Sequence, residues 1–404
     1  MSYVVAILGL GLLIFVHEAG HFLASLAVGL RPRRFYVGFP PPLVRTTRKG
    51  IEYGIGTIPL GGFVSIPGMH RPIPHDAERR FSRAVSEAPG LAGPFDRVRR
   101  ALDESDLDAG LAALDELEAA MAERKISPAA LAAAEKGLTE LRDALGPDAY
   151  WKARTWRRLV AIAAGPGANI VLAVVLMTVL FMTYAGKPSQ TIASVLADTP
   201  AKAAGLRPGD RVLAIDGTPV SGEELGDQIV ESEGRPLVIT VERGGQEVKI
   251  GPVSPEKTDR GYRLGIVRKG VGLPPLAAFQ RSLEVTGIVV KEIGRGLGRL
   301  ATGEGREDVA SPIGIVQGSS EAVERGTANY IWVLALISLS LALLNLLPLL
   351  PLDGGHILFT LIEGARGRFV RREVYERVSV VGLAIVLLLF FIGLTNDIPR
   401  LIPG

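Results

Sequence analysis

The chain contains no cysteine. That excludes disulfides, thiolate metal sites and cysteine nucleophiles together, so any metal must be held by histidine and carboxylate. Histidine itself is scarce, with five in 404 residues. Charge is also thin: 22% of residues are Asp, Glu, Lys or Arg against 48% hydrophobic, and the mean hydropathy is +0.29. This balance suits a membrane protein with soluble parts better than a wholly soluble enzyme. The net charge of +3 is small, and no stretch interleaves basic and aromatic residues as nucleic-acid modules do, so no nucleic-acid partner is expected. The amino terminus, Met1 to Val5, lacks the Lys or Arg of a secretory signal. The apolar run behind it exceeds the ~7 to 15 residues of a signal core, so it reads as a retained span.

Four segments are apolar enough to cross a bilayer: Val4 to Val28, Leu159 to Ala185, Ile331 to Leu350 and the shorter Val378 to Ile392. Arg31, Arg33, Arg34, Arg45, Arg48 and Lys49 follow the first span, Lys152, Arg154, Arg157 and Arg158 precede the second, and Arg366, Arg368, Arg371, Arg372 and Arg377 lie between the third and fourth. By the positive-inside tendency these connections face the cytoplasm, leaving both termini and the stretch from Lys187 to Asn329 outside. Trp151, Trp156, Tyr330 and Trp332 fall at span edges and read as interfacial anchors.

Between the first two spans, "RRFYVGF", "LVRTT" and "IEYGIGTIPLGGFVSI" read as short strands punctuated by proline and glycine. After His75 the chain turns acidic and alanine-rich. Leu107, Leu111, Leu114, Leu117 and Met121, then Leu138, Leu141 and Leu145, recur at helical spacing around Ser127-Pro128, which predicts a helical hairpin. Gln190 to Pro255 reads as a small mixed domain with a strand pair turning at Gly244-Gly245. Ala278 to Arg299 reads as an amphipathic helix.

The chemistry concentrates in "FVHEAGHFLA", which places His17, Glu18 and His21 inside the first span. A carboxylate in hydrocarbon costs roughly 3 kcal/mol on insertion scales, so something must compensate. On a helix, His17 and His21 share a face and can reach one Zn²⁺, while Glu18 lies where it can act on a water at the open position. A third ligand is needed. The best candidate is Asp353 in "NLLPLLPLDGGH", just past the third span, where Pro348 and Pro351 break the helix and Gly354-Gly355 permits a close backbone approach. His70 and His75 read as surface histidines. For His356 a supporting role at the metal and a plain helix-start role stay open.

HEAGH, Asn345-x-x-Pro348 followed by Leu352-Asp353-Gly354-Gly355, and Gly165-Pro166-x-x-Asn169 together resemble the site-2 protease family of intramembrane zinc metalloproteases. The resemblance implies that His17, His21 and Asp353 bind zinc and that Glu18 is the general acid/base. It implies that Asn345 holds the substrate backbone or the developing oxyanion, with Asn169, Pro348, Gly354 and Gly355 in support. "GIEYGIGTIPLGGFVSI" is similar to the family's membrane-associated β-loop, which receives substrate as an added strand, and the alternative that these strands only pack against the helices stays open. "ADTPAKAAGLRPGDRVLAIDGTPV" is similar to the PDZ domain of bacterial members, and "SPIGIVQGSS" to the segment leading into their third span. The second proline of the Asn345 motif lies one position later than in many members, and the stretch from His75 to Gly146 is longer, as a spacer or as a regulatory element with a cytoplasmic partner.

The expected fold is a polytopic α-helical membrane protein with four transmembrane helices, a membrane-associated β-loop, a cytoplasmic helical insertion and one extracytoplasmic α+β PDZ domain. Its expected parts are the first helix (1–30), the β-loop (31–72), the insertion (73–150), the second helix (151–186), the PDZ domain (187–256), a connection with the amphipathic helix (257–328), the third helix with the LDGG segment (329–363), and a cytoplasmic loop, fourth helix and terminus (364–404). The resemblance implies a zinc endopeptidase in a bacterial inner membrane, acting on single-span substrates such as anti-sigma factors or remnant signal peptides. The competing reading is a non-catalytic PDZ scaffold with structural zinc, which an intact Glu18 argues against. The sequence does not fix an oligomeric state.

Overall fold

The computed structural model describes residues 1–184, 187–258 and 261–401. Ala185, the expected end of the second span, and the last three residues lie outside them. Helix α1 (Ser2–Ala27) buries Ala6, Gly9, Leu13, His17, His21 and Ser25, a single stripe at three- and four-residue spacing. The other sides expose Val4, Ile7, Leu8, Leu12 and Leu23, an arrangement that suits lipid and not water. The helix stops at Gly29 in the left-handed region, where the Gly29 amide bonds to the Leu26 carbonyl and the Leu30 amide to the Ser25 carbonyl. This Schellman closure redirects the chain into the sheet that follows.

Strands β1 (Arg34–Arg48) and β2 (Ile51–Ser65) are longer than the short pieces expected from sequence. They form one hairpin turning at Lys49-Gly50 and folded back on itself. Arg34 to Val37 stands opposite both Glu52 to Ile55 and Gly62 to Ser65, and Pro42 to Arg48 pairs back onto Ile51 to Gly56. Gly62 to Ser65 therefore forms one edge of a small sheet and Pro42 to Arg48 the other.

The insertion is four helices and not a hairpin: α2 (Pro74–Glu87), α3 (Ala92–Glu104), α4 (Leu107–Ala122) and α5 (Pro128–Leu145). The expected pair corresponds to α4 and α5. The earlier two were hidden by their dense charge, yet Phe81, Leu91, Phe95 and Val98 close one core with Leu114, Leu117, Leu138 and Leu141. Asp106 and Ser127 accept the Ala109 and Ala130 amides and so cap α4 and α5. Arg33 ties the insertion to the hairpin by bonding Asp143 at 2.7 Å and Asp148 at 2.8 Å.

Helix α6 (Thr155–Thr183) carries Pro166 in its interior and packs against α1. A six-stranded sheet follows, built from β3 (Lys187–Val195), β4 (Arg211–Ile215), β5 (Thr218–Pro219), β6 (Leu237–Arg243), β7 (Gln246–Val253) and β10 (Ile266–Val271), with α7 (Pro200–Ala203) and α8 (Glu224–Glu231) beside it. The small pair β8 (Glu256–Thr258) and β9 (Gly261–Arg263) lies between β7 and β10 in the chain. Because β10 pairs with β3, the domain runs on to Val271, past the boundary expected at residue 256.

Helices α9 (Pro275–Ala301) and α10 (Pro312–Glu324) precede α11 (Thr327–Asn345), α12 (Asp353–Arg366) and α13 (Arg372–Leu401). The third span ends five residues before the expected Leu350, because Pro348 and Pro351 withhold the amides that would continue it. The fourth is longer than expected, its candidate span running from Arg372 to Ile398. Among the described residues four helices, α1, α6, α11 and α13, are long and apolar enough to cross a membrane. Tyr330, expected as an interfacial anchor, instead donates its hydroxyl to the Val5 carbonyl at 2.7 Å over Gly9. Trp332 packs with α6 and α9 residues, while Trp156 is exposed.

Asp210 organises the six-stranded domain. Its carboxylate is 1% exposed, accepts the Arg243 guanidinium at 2.7 Å and accepts the Arg207 amide at 2.8 Å. Burial pushes this carboxyl up, but Arg243 and the Arg207 amide outweigh it and hold it below the ordinary aspartate value. A depressed carboxylate contributes stability that is present at neutral pH and lost as pH falls through its folded-state pKa. Asp210→Asn is expected to lower the stability of this domain by about 1.5–3 kcal/mol at pH 7, the range for a hydrogen bond to a charged group. Hydrogen exchange of residues 187–271 in the whole protein should show this, with the gap to wild type narrowing in acid.

Candidate metal centre

His17 and His21 are 7% and 8% exposed, on the stripe of α1 that faces the protein interior. Asp353 is the first residue of α12, where a negative side chain also suits the helix dipole. The three meet: His17 Nε2 to Asp353 Oδ2 is 3.2 Å, His21 Nε2 to the same oxygen is 3.3 Å, and the two Nε2 atoms are 3.3 Å apart. Tetrahedral ligands at about 2.0–2.1 Å from Zn²⁺ lie about 3.3 Å from one another. The triangle therefore has the size that one zinc ion requires.

Proton placement agrees. His21 Nδ1 lies 2.9 Å from the Ala161 carbonyl and can only donate to it. The proton on Nδ1 leaves a lone pair on Nε2, facing the other two ligands. Asp353 Oδ2 has no hydrogen-bond donor although it is buried. The His21 lone pair and the undonated Asp353 oxygen, converging with His17 Nε2, suit a cation.

Close backbone packing sets this geometry. A Cβ added at Gly20 would stand 2.4 Å from the Ala164 carbonyl oxygen, and one at Gly165 would stand 2.2 Å from His21 Nε2. Thus α1 and α6 touch through two glycines, beside the turn that Pro166 loosens. On the other side, a Cβ at Gly354 would meet the Leu346 and Leu347 carbonyl oxygens at 2.3 and 2.2 Å, and one at Gly355 the Leu350 nitrogen at 2.5 Å. The LDGG glycines let α12 start directly beneath the proline-broken loop.

Glu18 is half-buried and faces the hairpin edge: a Cβ at Gly62 would lie 2.2 Å from Glu18 Cγ. The carboxylate thus stands between the ligand triangle and the strand Gly62 to Ser65. Asn345 does not join the cluster, since its amide donates to the Leu341 carbonyl of its own helix at 2.9 Å. Asn169 is fully buried with neither amide atom bonded, one helical turn beyond Gly165. Pro348 lies in the loop between α11 and α12. His75 is exposed as expected, whereas His70 is half-buried, its ring 4.4 Å from that of Tyr375. His356 Nδ1 shares a hydrogen bond with the Tyr375 hydroxyl, and burial pushes the imidazole down to about 4, so it is neutral at pH 7. Sequence reasoning missed the Ala161 carbonyl and the contact roles of Gly20 and Gly62. Glycine inside HEAGH was the one signal for the first of these contacts.

The family model for peptidase family M50 matches residues 5–389. The chain is 31% identical to a zinc metalloprotease homologue of Agrobacterium fabrum, over 98% of this chain and 95% of the other. It is 29% identical to the zinc metalloprotease RasP of Geobacillus kaustophilus, over 96% of each. To the regulator of sigma-W protease RasP of Bacillus subtilis it is 28% identical, over 97% of this chain and 96% of that one.

The fit of Gly165 against His21 is open to direct test. Gly165→Ala is expected to lower zinc affinity roughly 10–100-fold, the range for disturbed supporting contacts at a metal site. Gly167→Ala, with nothing within 4 Å of its added Cβ, should retain the metal. Zinc content after dialysis against a graded chelator series reads both.

Proposed function

The chain belongs to peptidase family M50, the site-2 protease family, and is a zinc metalloprotease, and we propose that it cuts peptide bonds within or beside the membrane-spanning segments of membrane-anchored substrates. The observation that carries this reading is the position of Glu18, beside both the His17, His21 and Asp353 triangle and the strand Gly62 to Ser65, which pairs on one side only among the described residues.

His17 Nε2, His21 Nε2 and Asp353 Oδ2 would hold the zinc. The bound ion supplies a Lewis acid that polarises a peptide carbonyl and makes a water acidic enough to attack it near neutral pH. Glu18 takes the proton of the attacking water and delivers it to the departing amine nitrogen, so the carboxylate ends the cycle as it began. Burial of the histidines keeps bulk water from competing for the site. Asn345 would turn its amide from Leu341 toward the substrate carbonyl oxygen, and the unbonded amide of Asn169 is a reserve partner for an unwound backbone.

A helical peptide bond is shielded by its own hydrogen bonds, so a substrate must unwind before hydrolysis. The edge Gly62 to Ser65 offers the freed backbone a strand partner beside Glu18. The domain 187–271, read as a PDZ domain, would screen intact ectodomains from the site. The basic connections support a topology with the hairpin, insertion and ligand triangle toward the cytoplasm and both termini and this domain on the other side. Anti-sigma factors and remnant signal peptides are substrates of the right chemistry, single spans already trimmed outside.

Glu18→Gln is expected to retain one zinc per chain and to cut a trimmed single-span substrate about 10²–10⁴-fold more slowly. Zinc content and the rate of product appearance, measured on the same preparation, test this. Equal cleavage by the variant would overturn the assignment of Glu18.

A further inference from the structure

A second site lies where α6 begins, away from the metal centre. A cavity of about 440 Å³ opens there between α6, α12 and the insertion, and Lys152, Arg154, Arg158 and Arg368 all line it. Glu363 is the one carboxylate in its wall. It is already committed, to Arg158 through one oxygen and to the Val370 amide at 3.0 Å through the other. Asp108 lies near enough to Lys152 to act on its charge but is not part of the wall. Lys152 also donates to the Leu145 carbonyl at 2.5 Å, which leaves ammonium protons free. Arg154 and Arg368 are exposed, and neither meets a carboxylate among the described residues.

Two further features favour negative charge here. The α6 amino terminus points its unserved amides here with no side-chain cap and no acidic residue in the first turn, where Arg157 and Arg158 add cations instead. This is the reverse of what a helix dipole favours. Arg158 is 7% exposed, yet its Nε has no hydrogen-bond partner. That nitrogen is itself covered, so Arg158 contributes its charge to the wall and not an open donor.

From these observations we infer that the cavity binds a phosphate group, and that the phosphate is the headgroup of an anionic phospholipid. The placement selects the lipid over a soluble ester. α6 is long and apolar enough to span a membrane, so its basic first turn would stand at the bilayer surface. Trp151 and Phe369, the latter 42% exposed, line the cavity as aromatic rings do at headgroup level. A headgroup here would touch the insertion at Leu107 and the end of α12 at Gly367 together, so bilayer charge would reach the helix that begins with Asp353.

The test uses the whole protein in detergent, titrated with phosphatidylglycerol and read by native mass spectrometry. Arg154→Gln with Arg368→Gln should weaken binding about thirtyfold, from roughly fivefold per cation at a membrane surface. Arg83→Gln with Arg97→Gln removes the same charge from the outer face of the insertion and should bind as wild type does, and unchanged zinc content reports that each variant is folded. Equal affinity in all three proteins, or equal binding of phosphatidylcholine, would overturn the site. Glycerol phosphate binding as tightly as the lipid would overturn the membrane source.

Discussion

The approach of α1 to α6 is the constraint on which the centre depends. Two helices normally pack 8–10 Å apart, with side chains between them. Here Gly20 meets the Ala164 carbonyl and Gly165 meets the His21 ring, so backbone stands against backbone and imidazole. Only at that distance can His21 Nδ1 reach the Ala161 carbonyl, and only that bond turns Nε2 toward Asp353. A hydrogen bond inside one helix pair thus decides which atom of a histidine is a ligand. The same closeness explains why α6 tolerates Pro166: the neighbouring helix supports the turn that the missing amide would have held.

Burial in this protein runs opposite to that of a soluble one. The stripe of α1 that faces inward carries His17 and His21, and its outward faces carry leucine, isoleucine and valine. Ionisable groups at this depth are costly when alone. They cost less as a set, because lone pairs from three residues converge on a point that one divalent cation neutralises. Asp353 completes the set from the far end of the chain, which explains why the long intervening stretch can hold two separate folded units without moving the ligands. Each unit has its own core, one closed by Phe81 and Leu117 and the other by Ile239 and Val241.

Much of the centre was legible because its chemistry is local in sequence. HEAGH writes two candidate ligands and a candidate base into one helix, and the LDGG segment follows two prolines that must end a helix. What stayed hidden depends on contacts between distant residues. Gly62 reads as an ordinary turn glycine until the hairpin folds back and brings it to Glu18. Tyr330 reads as an interfacial ring until α11 lies beside Gly9. In the insertion, α2 and α3 were masked by a different cause: their apolar positions are sparse among Arg and Glu, and only packing against α4 and α5 shows that Phe81 and Phe95 are interior. The extent of the six-stranded domain was likewise missed, since β10 joins β3 across some seventy residues and nothing local marks that pairing.

Helix α12 carries the last step. Its first residue is Asp353, the third member of the proposed ligand triangle, and Glu363 near its other end pairs with Arg158 in the first turn of α6. The helix is 14 residues long, about 20 Å at the usual rise per residue. It therefore links two points that are each held by charge, the ligand triangle and the first turn of α6. Both ends are fastened to elements that also hold the histidines, the lower to α1 through the ligand triangle and the upper to α6. A buried ion pair adds little net stability, yet removing one partner strands the other. Its value here is positional: with Glu363 fixed against α6, rotation of α12 is restrained, and Asp353 is kept on the side where His17 and His21 wait.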